Sequence, residues 1–145
     1  MLSTTEVSQT QNLARSILGV FAGLVVGGIG SYLWRIAPET VQSRRAIIAV
    51  IAVCVGFVIQ KIASRPSVLL GLAGGAISVG SMLVAKYWIV RDAIVHNADR
   101  QGLKLTSYPI SNIIHIMNIW DWVFVLFGFG LAFWVVANSL FKRSE

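Results

Sequence analysis

At 145 residues the chain has the length of a single domain. Hydrophobic residues make up 56% of it and charged residues only 12%; an ordinary soluble domain carries about 25% charged residues, so a surface written mainly for water is excluded. Twelve Lys and Arg against six Asp and Glu give a formal charge of +6, and the cations stand at the ends of apolar runs, where they meet lipid headgroups, rather than in the stripe of a nucleic-acid binder.

A polar tail, "MLSTTEVSQTQN", leads into the first apolar run. Nineteen residues without a charge separate Arg15 from Arg35. A bilayer core about 30 Å thick is crossed by about 20 apolar residues at 1.5 Å each, so the pattern predicts a membrane helix over 14–36. This run is longer than the roughly 7–15 residues of a signal-peptide core and ends in "SYLWRI" rather than in small residues, which makes it a retained span.

The second run has fifteen uncharged residues between Arg45 and Lys61. It reaches membrane length when Lys61 stretches its alkyl stem toward the headgroups, giving a helix over 44–63. Cys54, the sole cysteine, excludes an intrachain disulfide; among Ile, Val and Ala it reads as a small buried hydrophobe. Twenty uncharged residues between Arg65 and Lys86 predict a third span over 67–90 that extends to 97 beyond the membrane. Twenty more between Asp121 and Lys142 predict a fourth over 120–141. The expected fold is an all-α, polytopic membrane four-helix bundle, one membrane domain over 1–145, with an extramembrane connection at 91–120.

The first span holds five glycines in the twelve residues "GVFAGLVVGGIG", although glycine costs a helix about 1 kcal/mol relative to alanine. Lipid tails are as apolar as leucine, so helices in a bilayer associate through close backbone approach, which small residues permit. Gly19, Gly23 and Gly27 recur every fourth residue and share a face. Gly71 and Gly75 repeat the device in the third span and Gly128 in the fourth. These six are the expected helix-packing positions; the first-span notch is open either to this chain's own third helix, within an intrachain bundle, or to another chain. The phosphate-cradle reading of "GGIG" fails for want of a preceding strand.

In the connection, Asp92, His96 and Asp99 lie along one helix face, and Gly102 ends that helix. Farther on, "ISNIIHIMNIW" separates Ile110, Ile113, Ile114 and Met117 from Ser111, His115 and Asn118 at helical spacing. That pattern predicts a short amphipathic helix on the membrane surface before the last span. Two carboxylates and one imidazole make a poor metal set, and neither histidine lies within a span where a haem would want its ligands. No catalytic, metal or cofactor site is named.

Four spans place both termini on one side. The turn at 61–66 is basic and free of acid, which points to cytoplasmic termini, while the raw count of five cations on the terminal side against seven opposite points the other way. Trp34, Trp88, Trp120 and Trp122 collect on the side of the connection, as an interfacial belt or a docking rim for a partner. Lys86 closes the third span and Asp121 opens the fourth on that same side, so the two are expected to pair and fix helix register. No ionisable residue stands mid-span, which argues against coupled transport.

Several stretches in order carry a resemblance: "GGIGSYLW" from Gly27 to Trp34, "VGFVIQKIASR", "VAKYW" from Val84 to Trp88, and Asp121. Over about positions 17–140 the chain resembles a broad class of small, uncharacterised four-span bacterial inner-membrane proteins. Some members carry a cytoplasmic zinc-binding segment before the first span, a place taken here by the polar tail, and Ala85 stands where they have glycine. The resemblance implies the four-span fold and cytoplasmic termini, and no activity. The expected function is a non-catalytic accessory or scaffold subunit that packs against other membrane subunits or itself. A small channel or lipid-handling protein, and a haem-binding electron-transfer subunit, are the alternatives.

Overall fold

The computed structural model describes residues 4–36, 41–63, 67–102 and 117–141, with side chains described over 8–36, 47–63, 67–102 and 117–138. Among the described residues the protein is all-helical and without strands: α1 (Thr4–Ile36), α2 (Val41–Ile62), α3 (Val68–Arg100) and α4 (Ile119–Phe141). Three stretches, Ser8–Ile36, Val68–Arg100 and Ile119–Asn138, are long and apolar enough to cross a membrane. The apolar part of α2, Ile47–Ile62, is shorter. The amphipathic helix expected over 110–118 falls largely outside the described residues.

Local chemistry explains the boundaries. α1 begins ten residues before the predicted 14, because nothing between Thr4 and Arg15 breaks the hydrogen-bond ladder: the segment holds neither Gly nor Pro. Ser67 caps α3, its Oγ accepting the Leu70 N–H at 3.1 Å. At the far end Gly102, with φ 73°, takes the left-handed conformation that stops a helix, and its N–H donates to Asp99 O at 3.1 Å.

α2 and α3 meet in the centre; α1 packs against both from one side and α4 against both from the other, and among the described residues the α1 and α4 backbones do not approach each other. Contacts at glycines give the directions. Gly19 faces Ile59 O and Ala63 while Gly30 faces Ile51, so α1 and α2 run antiparallel. Gly71 faces Phe133 and Gly75 faces Phe129, so α3 and α4 run antiparallel too. α2 and α3 are antiparallel as well, whereas α1 with α3 and α2 with α4 are parallel.

The inner face of α1 is built from Gly19, Gly23, Gly27, Gly30, Ser31 and Trp34, all buried. A Cβ at Gly23 would stand 2.8 Å from Ile59, and one at Gly27 would collide with Ser81 Oγ. On α3, Gly71, Gly74 and Gly75 are buried, and on α4 Gly128 lies against Met82 and Ser78. A hydroxyl ties α1 to α3 inside the bundle: Ser31 Oγ donates to Ser81 O at 2.7 Å, with Gly27 O at 2.9 Å as a second acceptor. Cys54 departs from its expected burial. It is exposed, because the inner face of α2 is Ile48, Ile51, Ala52, Val55, Gly56 and Ile59, and position 54 turns away from it.

The nearest atom a Cβ at Gly56 would meet is backbone rather than a movable side chain. A Cβ there would stand 2.9 Å from the backbone oxygen of Ala132, which no rotamer change relieves. Gly130 has nothing within 4 Å. Gly56→Ala is therefore expected to lower bundle stability by about 1–3 kcal/mol, the range for overpacking, and Gly130→Ala to leave it undiminished. Thermal unfolding of the two variants side by side in one detergent checks this; equal losses would remove the backbone contact as the cause.

Candidate functional site

Of the polar residues singled out in the sequence, Lys86 and Asp121 meet at one end of the bundle, where α1 ends, α3 passes and α4 begins. Lys86 Nζ donates to Asp121 Oδ2 at 3.0 Å, with each side chain 26% exposed. Asp121 has a second task. Its Oδ2 accepts the Asn118 N–H at 3.1 Å while Asn118 Oδ1 accepts the Asp121 N–H at 2.9 Å. Asn118 is thus the N-cap of α4 and Asp121 its reciprocal partner three residues on, the arrangement of a capping box. A single carboxylate starts α4 and ties it to α3.

Beside this pair lies a cavity of about 20 Å³ lined by Trp34, Met82, Met117 and Phe124 together with Lys86 and Asp121. One water needs about 10–15 Å³ and two or more polar partners, so the cavity has room for one. Trp34, expected on an interfacial rim, is only 9% exposed and belongs to the core, and its Nε1 is buried without a hydrogen-bond partner. The reason is helical phase: Trp34 follows Gly27 by seven residues and Gly30 by four, which carries it inward on the glycine face. Ser78 Oγ, deeper between α3 and α4, is the other buried polar side-chain atom without a partner among the described residues.

Toward the outside of the same end a second cluster joins α1 to α3. Arg35 donates from Nε and Nη2 to Asp92 Oδ2, both at 2.8 Å. Its guanidinium also lies 5.2 Å from the centroid of the Trp88 ring, and that of Arg91 lies at the same distance. Trp88 is therefore half-buried under two cations, a contact of about 0.5–1 kcal/mol each at exposed sites. Trp120 and Trp122, at the start of α4, are exposed. Of the four tryptophans expected to share a rim, two face outward, one is clamped by arginines and one is core.

The Asp92, His96 and Asp99 face does not close into a ligand set: Asp92 is engaged by Arg35, and among the described residues no three His, Cys, Asp or Glu gather as a metal site. His115 lies outside the described residues. The arrangement fixes helix register and presents guanidinium groups and an indole at a membrane-facing end.

Three features of this end lie beyond the sequence expectations. The Arg35–Asp92 pair depends on α1 and α3 being parallel neighbours, which spacing within either helix does not reveal. The Trp88–Arg91 contact has a local signal, a three-residue spacing on one helix. So does the Asn118 cap, an Asn followed three residues later by an acid. No protein-family model, no curated protein and no solved structure matches this chain.

Asp121→Asn keeps an oxygen for the cap and loses the charge, whereas Asp121→Ala loses both. The alanine variant is expected to be the less stable by about 0.5–2 kcal/mol, the worth of a cap. Combining Lys86→Met with Asp121→Ala should cost less than the two separate losses added together, with a coupling between the ~0–1 kcal/mol of exposed pairs and the ~3–5 kcal/mol of broken buried ones. A double-mutant cycle of thermal unfolding in detergent measures it, and strictly additive losses sink the pair as a register device.

Proposed function

We propose that the protein is a non-catalytic integral membrane protein of the bacterial inner (cytoplasmic) membrane, crossing it four times with both termini in the cytoplasm. Its role is that of an accessory or scaffold subunit that packs against other membrane subunits or a second copy of itself. α2 counts as the fourth span because it lies between α1, α3 and α4 along its length, and Lys61 at its end is exposed, its Nζ 5.4 Å from the Phe57 ring, in position to reach headgroups. The glycine faces hold the bundle together in lipid, where close backbone approach takes the place of the hydrophobic effect. The resemblance to four-span inner-membrane proteins supports the cytoplasmic placement of the termini.

The observation that carries the accessory role is the outward face of α4. Trp120, Val123, Phe127 and Trp134 are exposed along it, and Gly130 opens a notch among them with nothing within 4 Å. A glycine inside a stripe of large apolar residues is the feature a second helix uses to come close. The same helix touches α2 and α3 on its other side, so among the described residues no helix of this chain covers this face.

A photo-reactive residue in place of Trp134, in protein extracted gently from native membranes, is expected to cross-link a stoichiometric membrane polypeptide or a second copy, and Gly130→Leu is expected to abolish the adduct. Intact-complex mass spectrometry identifies the species, and a visible spectrum of the same sample is expected to be colourless. A monomer without adducts would falsify the accessory role and turn attention to flux and lipid-transfer assays; a haem band reduced on changing His96 or His115 would replace it with electron transfer.

A further inference from the structure

Between the parallel helices α1 and α3 runs a groove of about 470 Å³, lined by Leu24, Gly28, Ala76, Gly80 and Val84 among others. Its volume falls within the roughly 300–1,000 Å³ typical of ligand sites. Gly28 and Gly80 are what keep it open: a Cβ at either would meet nothing within 4 Å, in contrast to the glycines of the inner faces. Its walls are almost wholly apolar, and the hydroxyls of Ser31 and Ser81 on its floor are already spent on backbone oxygens.

One end of this groove is charged. One helical turn beyond Val84 on α3 comes Trp88, and one turn beyond Ser31 on α1 comes Arg35. Arg35 and Arg91 both lie 5.2 Å from the Trp88 ring. Asp92 pairs with Arg35, so the cluster of Arg35, Arg91 and Asp92 carries one net positive charge. Depth matches as well. From Ala76 to Trp88 is about 18 Å along the helix, close to the roughly 15 Å of one bilayer leaflet.

We infer that this groove is a binding site for one anionic phospholipid of the surrounding bilayer, an acyl chain lying over Gly28 and Gly80 and the phosphate meeting the arginines at Trp88. An apolar trough one leaflet deep that ends in cations at headgroup level is complementary to a lipid with a negative head. A partner's transmembrane helix would fill the trough but leave the charged end unexplained, and a free phosphate would use the charged end and leave the trough empty. The site needs the bilayer and not the partner subunit, so it stands or falls separately from the accessory role.

The test is native mass spectrometry of the full chain in mild detergent with added dioleoyl phosphatidylglycerol or dioleoyl phosphatidylcholine. One phosphatidylglycerol is expected to be retained with roughly tenfold preference, equivalent to about 1.4 kcal/mol. Arg91→Gln should erase the preference while leaving residual binding of both lipids. Gly80→Leu should fill the trough and lower retention of both, and because position 80 faces open space the variant should keep its helix content and melting temperature. Millimolar glycerol 3-phosphate should not displace the lipid. A preference that survives Arg91→Gln, lipid retention unchanged by Gly80→Leu, displacement by glycerol phosphate, or a co-purified polypeptide lost in Gly80→Leu would each overturn the site.

Discussion

Ile59 sits fully buried at the point where three helices meet, with its side chain against the bare backbone of Gly23 on one side and Gly74 on the other. Everything else in the bundle is arranged around the close approach this permits. A Cβ at Gly23 would leave 2.8 Å to Ile59, so α1 stands as near to α2 as a side chain on one helix and none on the other allow. Gly30 takes Ile51 in the same way a few turns along. Dispersion attraction is tiny per atom pair and falls off within an ångström of the best separation, so removing a methyl from each contact is what allows the remaining atoms to reach it. α2, the helix with the shortest apolar stretch, thereby shares the centre of the bundle with α3.

Packing alone does not distinguish the two kinds of helix neighbour in this bundle. Antiparallel helices set opposite ends of their dipoles together, while parallel ones set like ends together. The parallel pair α1 and α3 carries the polar fasteners: the Ser31 hydroxyl on the Ser81 carbonyl, and at the end of α1 the Arg35–Asp92 ion pair. The parallel pair α2 and α4 is instead drawn to backbone contact at Gly56 and Ala132. At the antiparallel seam of α3 and α4, Lys86 and Asp121 set the register within one turn of the point where α4 begins, because the same carboxylate closes the helix cap. Register and helix start are one constraint there, not two.

What the sequence made legible follows from which physics is local. Charge-free runs mark where helices lie because the cost of a charge in lipid is paid residue by residue, and the spacing of Gly19, Gly23 and Gly27 marks a face because 3.6 residues complete a turn. Trp34 shows where two local rules compete: an aromatic at a span's end belongs to the interface by composition and to the core by phase, and phase won because the glycines beneath it bring α2 and α3 close. Cys54 shows the reverse limit. Among neighbours that are all apolar, the outward face looks as hydrophobic as the inward one, so hydrophobicity does not separate them. The Arg35–Asp92 pair was out of reach for a third reason, since 57 residues separate its members and only the parallel placement of α1 and α3 joins them.

The glycines themselves divide by what they face. Gly19, Gly23, Gly27 and Gly30 are filled from within the chain, whereas Gly28, Gly80 and Gly130 meet nothing at all. A helix gains no packing from a glycine that faces open space and still bears its conformational cost. The outward three are therefore hard to explain by the fold of this chain, and each lies on a surface that something outside it can cover. Gly28 and Gly80 flank one trough on adjacent helices and lead to cations; Gly130 stands alone among large apolar side chains with no charge on its face. A flexible chain with an anionic head fits the first, and a second helix, which needs one point of close approach and broad apolar contact around it, fits the other.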